Sequence, residues 1–224
     1  AVKFQNKYYW SVALFLSFGL PLLIGLLYGR PIGGLLWGGF LRVTLVHHFT
    51  FFINSLCHYL GKRDYEFDTT ARDSWIAAIF TFGEGYHNYH HKFQWDYRNG
   101  IKWYNFDPSK WLIKFLSIFK ITYSLKKVSK QNILKARLNT LNRKINEVNL
   151  NNIYSEKIQI ITENAMKNLE LWKKLEFKYR SLKRIKVNKD KKQFYKQKVK
   201  LYNLEIQQSL SALMIIFSNL KNLN

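Results

Sequence analysis

SVALFLSFGLPLLIGLLYG, residues 11–29, contains no charged side chain, and neither do the three aromatic residues before it. A helix of about 20 apolar residues is long enough to cross the hydrocarbon core of a bilayer. The run therefore predicts a membrane-spanning helix over Tyr8–Gly29 and places the chain among membrane proteins.

A second apolar segment, Ile32–Leu60, follows a short break at residues 30–31. It is interrupted only by a few polar positions, namely Arg42, His47, His48, Asn54 and His58. Two such segments joined by a short turn predict a transmembrane helical hairpin over residues 1–62. The alternative is a buried hairpin in a soluble protein, which the lengths of the two runs argue against.

The net charge of +22 is distributed unevenly along the chain. Residues 1–125 contain 13 Lys or Arg and 7 Asp or Glu, whereas residues 126–224 contain 23 and 7. Because Lys3 and Lys7 precede the first apolar run and many basic residues follow the second, both outer ends are predicted to be cytoplasmic. The fold class predicted is an all-α integral membrane protein with two transmembrane helices, cytoplasmic or interfacial helices and a basic helical C-terminal extension.

The sequence HNYHH, residues 87–91, is the strongest chemical signal. Residues three and four apart share one side of a helix, so His87, His90 and His91 are predicted to contribute to a metal site. Imidazole suits iron, zinc, copper and nickel. With Cys57 as its single cysteine, the chain cannot build a structural zinc site from several thiolates.

Two polar residues of the second segment are predicted to join this site. Asn54 and His58 are four residues apart and therefore share a helical face near the cytoplasmic end of the segment. His47 and His48 are interpreted instead as histidines hydrogen-bonded between helices.

Four histidines without thiolates favour a redox iron over zinc. Metal-bound histidines usually donate their second N–H group to a carboxylate or a carbonyl. Glu84, three residues before His87, is a candidate for this role. The alternative is an ordinary carboxylate at a helix start, where Gly83 and Gly85 weaken the helix.

Two stretches resemble the membrane-bound acyl-CoA Δ9 desaturases, the family that includes the stearoyl-CoA desaturases and their bacterial relatives. They are TFFINSLCH, residues 50–58, and GEGYHNYHH, residues 83–91. The resemblance continues in residues 2–9 and 126–137, so it covers the chain from residue 1 to about residue 138.

The resemblance implies a histidine-rich di-iron centre that uses O2 and two electrons to remove two hydrogens from a saturated acyl chain, leaving a cis double bond. The residues that match family iron ligands are His58, His87, His90 and His91. Asn54 matches the asparagine that holds a metal-bound water. The implied substrate is a fatty acyl chain, most simply an acyl-CoA, and Phe51 falls where relatives often carry a tryptophan that lines the acyl tunnel.

Two further histidine boxes of the family, a HxxxxH and a HxxHH on earlier helices, have no counterpart in residues 1–224. We therefore expect a C-terminal part of a desaturase, in preference to a decayed or repurposed protein that retains one box. We also expect that residues 1–224 do not assemble a complete di-iron site by themselves.

Residues 63–138 are predicted to form a cytoplasmic region that holds the histidine box. The apolar run from Ser74 to Phe82 suits an interfacial helix. Residues 92–120 interleave aromatic and basic side chains, which suits a membrane surface and the docking of an acidic electron donor, such as a cytochrome b5-like or ferredoxin-like protein. The same mixture occurs in single-strand nucleic-acid sites, but two membrane helices argue against a nucleic-acid partner.

Residues 139–224 are predicted to form a basic helical extension, also cytoplasmic. Apolar residues recur at spacings of three and four in two stripes, one from Leu134 to Val148 and the other from Ala165 to Leu182. Either these helices pack together on anionic membrane lipid or the stripes bind a partner. The Asn-rich residues 149–152 are predicted to be a loop.

Two other functions stay open from the sequence. A histidine-box lipid hydroxylase or conjugase uses the same iron and O2, and hydroxylation leaves oxygen on the product. A non-enzymatic, membrane-associated helical protein would fold without metal, and replacing His87, His90 or His91 would not change lipid composition.

Overall fold

The computed structural model describes residues 2–148, 154–183 and 189–223, and in these ranges the regular structure is helical, with isolated β-bridges but no strand. The predicted all-α class is thus confirmed for the described residues. The predicted loop at residues 149–152 lies outside them. The chain divides into two compact units, residues 1–56 and residues 57–224.

The first unit consists of short helical segments that follow one another closely. They are α1 (Val2–Lys7), α2 (Tyr9–Leu14), α3 (Leu20–Leu27), α4 (Pro31–Gly33) and α5 (Arg42–Asn54), with π-helical segments at Phe15–Gly19 and Gly34–Leu41. From α2 to α3 the helix is continuous, and Tyr9–Leu27 is long and apolar enough to cross a membrane. Among the described residues no other helix meets both criteria, and the second transmembrane helix stays a prediction.

The two apolar segments of this unit approach each other closely at Gly25 and Gly34. A Cβ atom on Gly34 would lie 2.4 Å from the carbonyl oxygen of Pro21 and 2.8 Å from the Cα atom of Gly25. Backbones this close leave no room for a side chain, as is common where apolar helices pack. Glycine therefore permits the hairpin that the sequence predicts.

Arg42 is the charged residue within the second apolar segment, and its guanidinium is satisfied by backbone carbonyls. Its Nε atom donates to the Gly38 oxygen at 2.8 Å, and Nη2 lies 3.3 Å from the Leu16 oxygen and 3.4 Å from the Ser17 oxygen. Both acceptors belong to the first π-helical segment. A charge in an apolar segment needs such partners, so Arg42 links the two halves of the hairpin.

Helix α6 (Leu56–Tyr59) begins at the boundary between the units. Asn54 and His58 lie on separate helices, because α5 ends at Asn54 and a turn at Ser55 follows it, and their shared role at the metal site stays a prediction. The Ser55 hydroxyl donates to the Phe51 oxygen at 2.9 Å, the same carbonyl to which its backbone N–H is bonded. Such local side-chain bonds compete with regular helix bonding.

The second unit contains two short helices and four longer ones after α6. They are α7 (Trp75–Phe80), α8 (His87–Lys92), α9 (Pro108–Ile118), α10 (Lys130–Val148), α11 (Ser155–Lys183) and α12 (Lys189–Leu223). The predicted interfacial helix corresponds to α7, which the Ser74 hydroxyl caps by accepting from the Ala77 N–H group. A turn at residues 81–85 separates α7 from α8, with positive φ angles at Phe82 and Gly83.

Helices α10, α11 and α12 pack together as a bundle. Its core includes buried residues of both predicted stripes together with residues of α12, namely Leu134, Leu138, Ile145, Ala165, Leu169, Trp172, Ile206, Leu210 and Leu213. The first stripe and the Ala165–Trp172 part of the second therefore pack within the chain. A smaller apolar cluster joins α8 to the start of α10 through Tyr89, Phe93, Val128, Ile133 and Ala136.

Candidate metal centre

Helix α8 has six residues and starts at His87. A helix this short is not stable alone, so the surrounding chain must hold it. Asp73 supplies the first support: its Oδ1 accepts from the backbone N–H of Tyr89 at 3.0 Å, and its backbone pairs with Tyr86 as an isolated bridge. A carboxylate at this end of a helix satisfies an N–H group that has no partner within the helix.

Asn88, inside the histidine box, is fully buried and anchors α8 to the preceding loop. Its Oδ1 accepts from the backbone N–H groups of Tyr65 and Glu66, at 2.8 and 3.2 Å. Its Nδ2 donates to the carbonyl oxygens of Glu66 and Ala71, at 2.7 and 3.0 Å. One side chain thus joins the box to two points of a loop that has no regular structure.

Tyr89 anchors the opposite side of the box. Its hydroxyl donates to Asp96 at 2.7 Å, and the same carboxylate accepts from the Arg98 guanidinium and the Val128 N–H. Burial opposes ionisation of Asp96, but these hydrogen bonds outweigh burial and lower its pKa. Asn88 and Tyr89 therefore point into the scaffold, and the histidines of α8 are held in place by their neighbours.

His58 approaches α8 from α6. Its Nδ1 atom lies 2.8 Å from the Thr70 hydroxyl, and Arg72 donates from Nε to the His58 carbonyl oxygen at 3.3 Å. The Arg72 backbone N–H also binds the Cys57 carbonyl oxygen at 2.7 Å. With Nδ1 engaged by Thr70, the Nε2 atom of His58 is the one left for a ligand.

Three imidazoles, those of His58, His87 and His91, meet with one ring nitrogen each within 4.8 Å of the others. The Nε2 atoms of His87 and His91 are 3.1 Å apart. Two nitrogens at this separation, each about 2.1 Å from one ion, subtend an angle of roughly 95°. The spacing therefore suits two ligands of one metal ion.

The protonation state of the cluster also suits metal binding. His87 is 8% exposed, and burial, followed by the proximity of His91 and His58, lowers its pKa to about 4. Burial and the neighbouring His90 and His58 lower the pKa of His91 as well. Both rings are therefore neutral at pH 7, the form that donates a lone pair to a metal.

The Nδ1 atom of His87 is buried and has no hydrogen-bond partner among the described residues. A buried polar atom without a partner costs free energy unless something else satisfies it. The donor set that fits a bound cation is therefore the two Nε2 atoms of His87 and His91 that face each other, and the Nδ1 atom of His87 would carry the proton of its ring.

His90 does not belong to this group. Its ring is partly buried and lies parallel to the His87 ring, with centroids 6.3 Å apart. His90 is not among the three clustered residues, although its ring centroid lies 6.2 Å from that of His91, and its role as a ligand stays a prediction.

Glu84 lies in the turn before α8, because the helix begins only at His87. Its Oε1 atom accepts from the Asn99 side chain at 2.9 Å. The helical face that the sequence argument used therefore does not extend to Glu84, and its role beside the ligands stays a prediction.

Four of the residues singled out in the sequence lie in the first unit. Asn54 is the last residue of α5 and is exposed, and Phe51 is exposed one turn earlier. His47 bonds through Nδ1 to the Val43 oxygen at 2.8 Å, within its own helix and not between helices. His47 and His48 both contact the Phe51 ring, with centroids 6.4 and 6.5 Å apart.

Sequence reasoning missed three residues that hold the cluster, namely Thr70, Asp73 and Asn88. Thr70 and Asp73 act across 12 and 16 residues of sequence, and no local pattern marks such contacts. Asn88 lies within the box itself, so its position between predicted ligands was the feature of the sequence that could have identified it.

The model of one protein family, Fatty acid desaturase, matches residues 2–115 of the chain. This range is half of the chain and contains the three clustered imidazoles. The chain belongs to the fatty acid desaturase family. The family is membrane-bound, in agreement with the apolar helix Tyr9–Leu27.

Individual relatives of the chain are named as desaturases in several organisms. Acyl-CoA desaturase 1 of Saccharomyces cerevisiae is 41% identical over 177 residues, which are 79% of this chain and 33% of the relative. A probable acyl-CoA desaturase of Schizosaccharomyces pombe is 43% identical over 125 residues, 55% of this chain and 26% of the relative. The sn-1 stearoyl-lipid 9-desaturase of Synechocystis is 37% identical over 113 residues, 50% of this chain and 35% of the relative.

This desaturase-family chain thus spans between a quarter and about a third of the length of these relatives. A match of 177 residues in a chain of 224 must start by residue 48 and cannot end before residue 177. The similarity to the Saccharomyces relative therefore reaches beyond α10 into α11, which the resemblance quoted from the sequence did not cover.

Proposed function

We propose that residues 1–224 form the part of an O2-dependent fatty acyl desaturase that supplies His58, His87, His90 and His91 to a di-iron centre. The observation that carries this proposal is the cluster of His58, His87 and His91 in a chain of the desaturase family. The reaction converts two adjacent CH2 groups of a saturated chain, with O2, two electrons and two protons, into a cis double bond and two waters. The relatives' names favour the Δ9 position and an acyl-CoA substrate, with an acyl-lipid as the alternative.

When bound, iron would supply the oxidising power that an unactivated C–H bond requires and that no side chain has. The chain's own residues would bind and orient. His87 and His91 would donate from the Nε2 atoms that lie 3.1 Å apart, and Thr70 would fix the ring of His58. Asn54 would hold a metal-bound water, Glu84 would accept a ligand N–H, and Phe51 would line the acyl tunnel.

The arrangement we propose in the membrane has two transmembrane helices in residues 1–62, with the metal site and residues 139–224 on the cytoplasmic side. Lys3 and Lys7 before the first span and the basic residues after the second support this orientation. The cytoplasmic face would then offer positive charge to an acidic electron donor, such as a cytochrome b5-like or ferredoxin-like protein, and to anionic lipid.

A chimera tests the proposed activity. The matching region of the Saccharomyces acyl-CoA desaturase would be replaced by the corresponding residues of this chain, in a yeast strain that lacks the native enzyme and is maintained on oleic acid. Growth after oleic acid is withdrawn, together with cis-monounsaturated acyl chains measured by gas chromatography and mass spectrometry, is the expected result.

The control is the same chimera carrying His87→Ala and His91→Ala, which should accumulate to the same level and fail to grow. A chimera that accumulates in the membrane but forms no unsaturated chains would contradict the proposal. Hydroxylated acyl chains in place of unsaturated ones would assign the site to a hydroxylase.

A further inference from the structure

A cavity of about 550 Å³ lies in the second unit, between residues 61–72 and helices α10 and α12. Its size is that of a small-molecule site. The charged residues of its wall are six basic and two acidic, namely Lys62, Arg63, Arg72, Arg137, Lys144 and Lys221, with Asp64 and Glu147. None of the histidines lines it, so the cavity is distinct from the candidate metal centre.

The positive charge of the wall is largely uncompensated. In the described part of the chain, Lys144 is the one basic residue of the wall that forms an ion pair, with 3.9 Å between its Nζ atom and Asp64. Burial lowers the pKa of Lys144, Asp64 opposes this, and the positive charges of Arg63 and Arg72 lower it further. Like charges gathered in a concave site create a positive potential that attracts an anion.

Two guanidinium groups of the wall are held in place before any ligand arrives. Arg72 donates to the carbonyl oxygens of His58 and Gly61, each at 3.3 Å. Arg63 donates to the Phe67 oxygen at 3.3 Å and lies over the Phe67 ring, 4.9 Å from its centroid. A guanidinium has five N–H donors, so each retains donors for an oxyanion, and a fixed guanidinium loses less entropy on binding.

Apart from Gly61 and Thr140, the remaining wall of the cavity is apolar. It is formed by Leu141 and Val148 of α10 and by Leu210, Met214 and Phe217 of α12. Met214 is 44% exposed, so part of its side chain is open to a ligand in the cavity. A cationic side facing an apolar side suits a ligand that carries an anionic group on a hydrocarbon chain.

We propose that this cavity binds the phosphate group of an amphiphile, with the phosphate against the basic residues of residues 61–72 and α10 and the hydrocarbon chain along α12. Arginine pairs with phosphate through two parallel hydrogen bonds, and a phosphate carries more charge than a carboxylate. The phosphate could belong to an anionic phospholipid or to a soluble phosphorylated compound, and the experiment separates these sources.

The experiment measures binding to residues 1–224 in a neutral detergent with no metal added, so its result does not depend on the proposed oxidation chemistry. The probes are phosphatidic acid in mixed micelles, phosphatidylcholine in the same micelles and inorganic pyrophosphate in solution. We expect saturable binding of phosphatidic acid and none of phosphatidylcholine. If pyrophosphate binds as well as phosphatidic acid, most of the affinity comes from the phosphate group. If phosphatidic acid binds and pyrophosphate does not, the site is specific for a lipid.

Two triple variants with the same net charge locate the site. Lys62→Gln, Arg137→Gln and Lys144→Gln together remove charge from the cavity and should weaken phosphatidic acid binding about tenfold or more, since charge-assisted hydrogen bonds are lost. Lys157→Gln, Lys167→Gln and Lys173→Gln remove the same charge from exposed positions of α11 and should leave the affinity within about twofold, because distant surface charges are screened.

Met214→Gln should weaken phosphatidic acid binding and leave any pyrophosphate binding unchanged. Circular dichroism confirms that the variants keep their helical content. Equal weakening by both triple variants would reduce the effect to general charge attraction and overturn the proposal. Failure of the folded protein to bind either phosphatidic acid or pyrophosphate would overturn it as well.

Discussion

His87 combines burial, a lowered pKa and an orphaned ring nitrogen, whereas His90 has no place in the same group of three. We predict that His87→Ala or His91→Ala lowers the Co²⁺ affinity of residues 1–224 at least about 100-fold, because loss of a ligand costs more than loss of a residue that only orients one. The His90→Ala variant should bind the first Co²⁺ ion added with nearly native affinity. Titration followed by the visible absorption of Co²⁺ measures both.

The contrast between these variants decides whether the observed cluster is the metal site. Equal losses in the His87 and His90 variants would place the ion elsewhere in the box. His47→Ala is the matched control, since His47 bonds within its own helix in the other unit.

The buried carboxyl group of Asp73 should make the stability of the folded protein depend on pH. Burial, opposed by the Tyr89 N–H, raises the pKa of Asp73 to about 7, whereas an aspartate in an unfolded chain titrates near about 3.9. Between about pH 4 and about pH 7, the folded protein therefore holds a proton on Asp73 that the unfolded chain has released. The contribution of Asp73 to the free energy of unfolding is complete below about pH 4 and is lost as the pH rises through about 7.

Asp73→Asn removes this proton and keeps an oxygen that can accept from Tyr89. The melting temperature of the variant relative to the native protein should therefore increase between pH 5 and pH 8, as measured by thermal unfolding in detergent. If the difference in melting temperature between the variant and the native protein stays constant or decreases over this range, Asp73 does not titrate there.

At the scale of the elements, α8 depends on its non-histidine residues. Asn88 makes four hydrogen bonds to the backbone of residues 65–71. Asn88→Ala leaves those buried groups without partners, so we expect a loss of about 2–4 kcal/mol in the free energy of unfolding. Metal affinity should fall with it, although the Asn88 side chain contacts no proposed ligand.

Denaturant titration and the Co²⁺ assay measure the two effects of Asn88→Ala. Asn146→Ala, at an exposed position of α10, is the control and should change stability by less than about 0.5 kcal/mol. Native stability in the Asn88 variant would contradict the assignment of Asn88 as the anchor of α8.

At the scale of the whole molecule, the described residues bring three imidazoles into one group, and all six histidines of the chain are described. Because a di-iron centre needs more ligands than this, we predict that residues 1–224 alone take up fewer than two irons per chain under anaerobic loading. Elemental analysis of the desalted protein measures the ratio. Two tightly bound irons, with desaturation of an acyl substrate, would contradict this prediction.

Much of this molecule could be read from local patterns. The apolar length of residues 9–27, the heptad-like spacing in α10 and the HNYHH box depend on residues close in sequence, so helical periodicity and ligand spacing were enough to predict them. The glycines around Glu84 likewise indicated a weakened helix, and the structure has a turn there.

Only the tertiary structure decided which groups meet. The contacts of His58 with Thr70, of Asp73 with the start of α8 and of Asn88 with its loop join residues 12 to 23 positions apart. The turn at Ser55 and the restriction of the tightest histidine cluster to His58, His87 and His91 were likewise not predicted. The sequence determined the kinds of helix and the metal-binding chemistry because both depend on local spacing, whereas the composition of the site depends on how distant segments pack, and no local pattern encodes this.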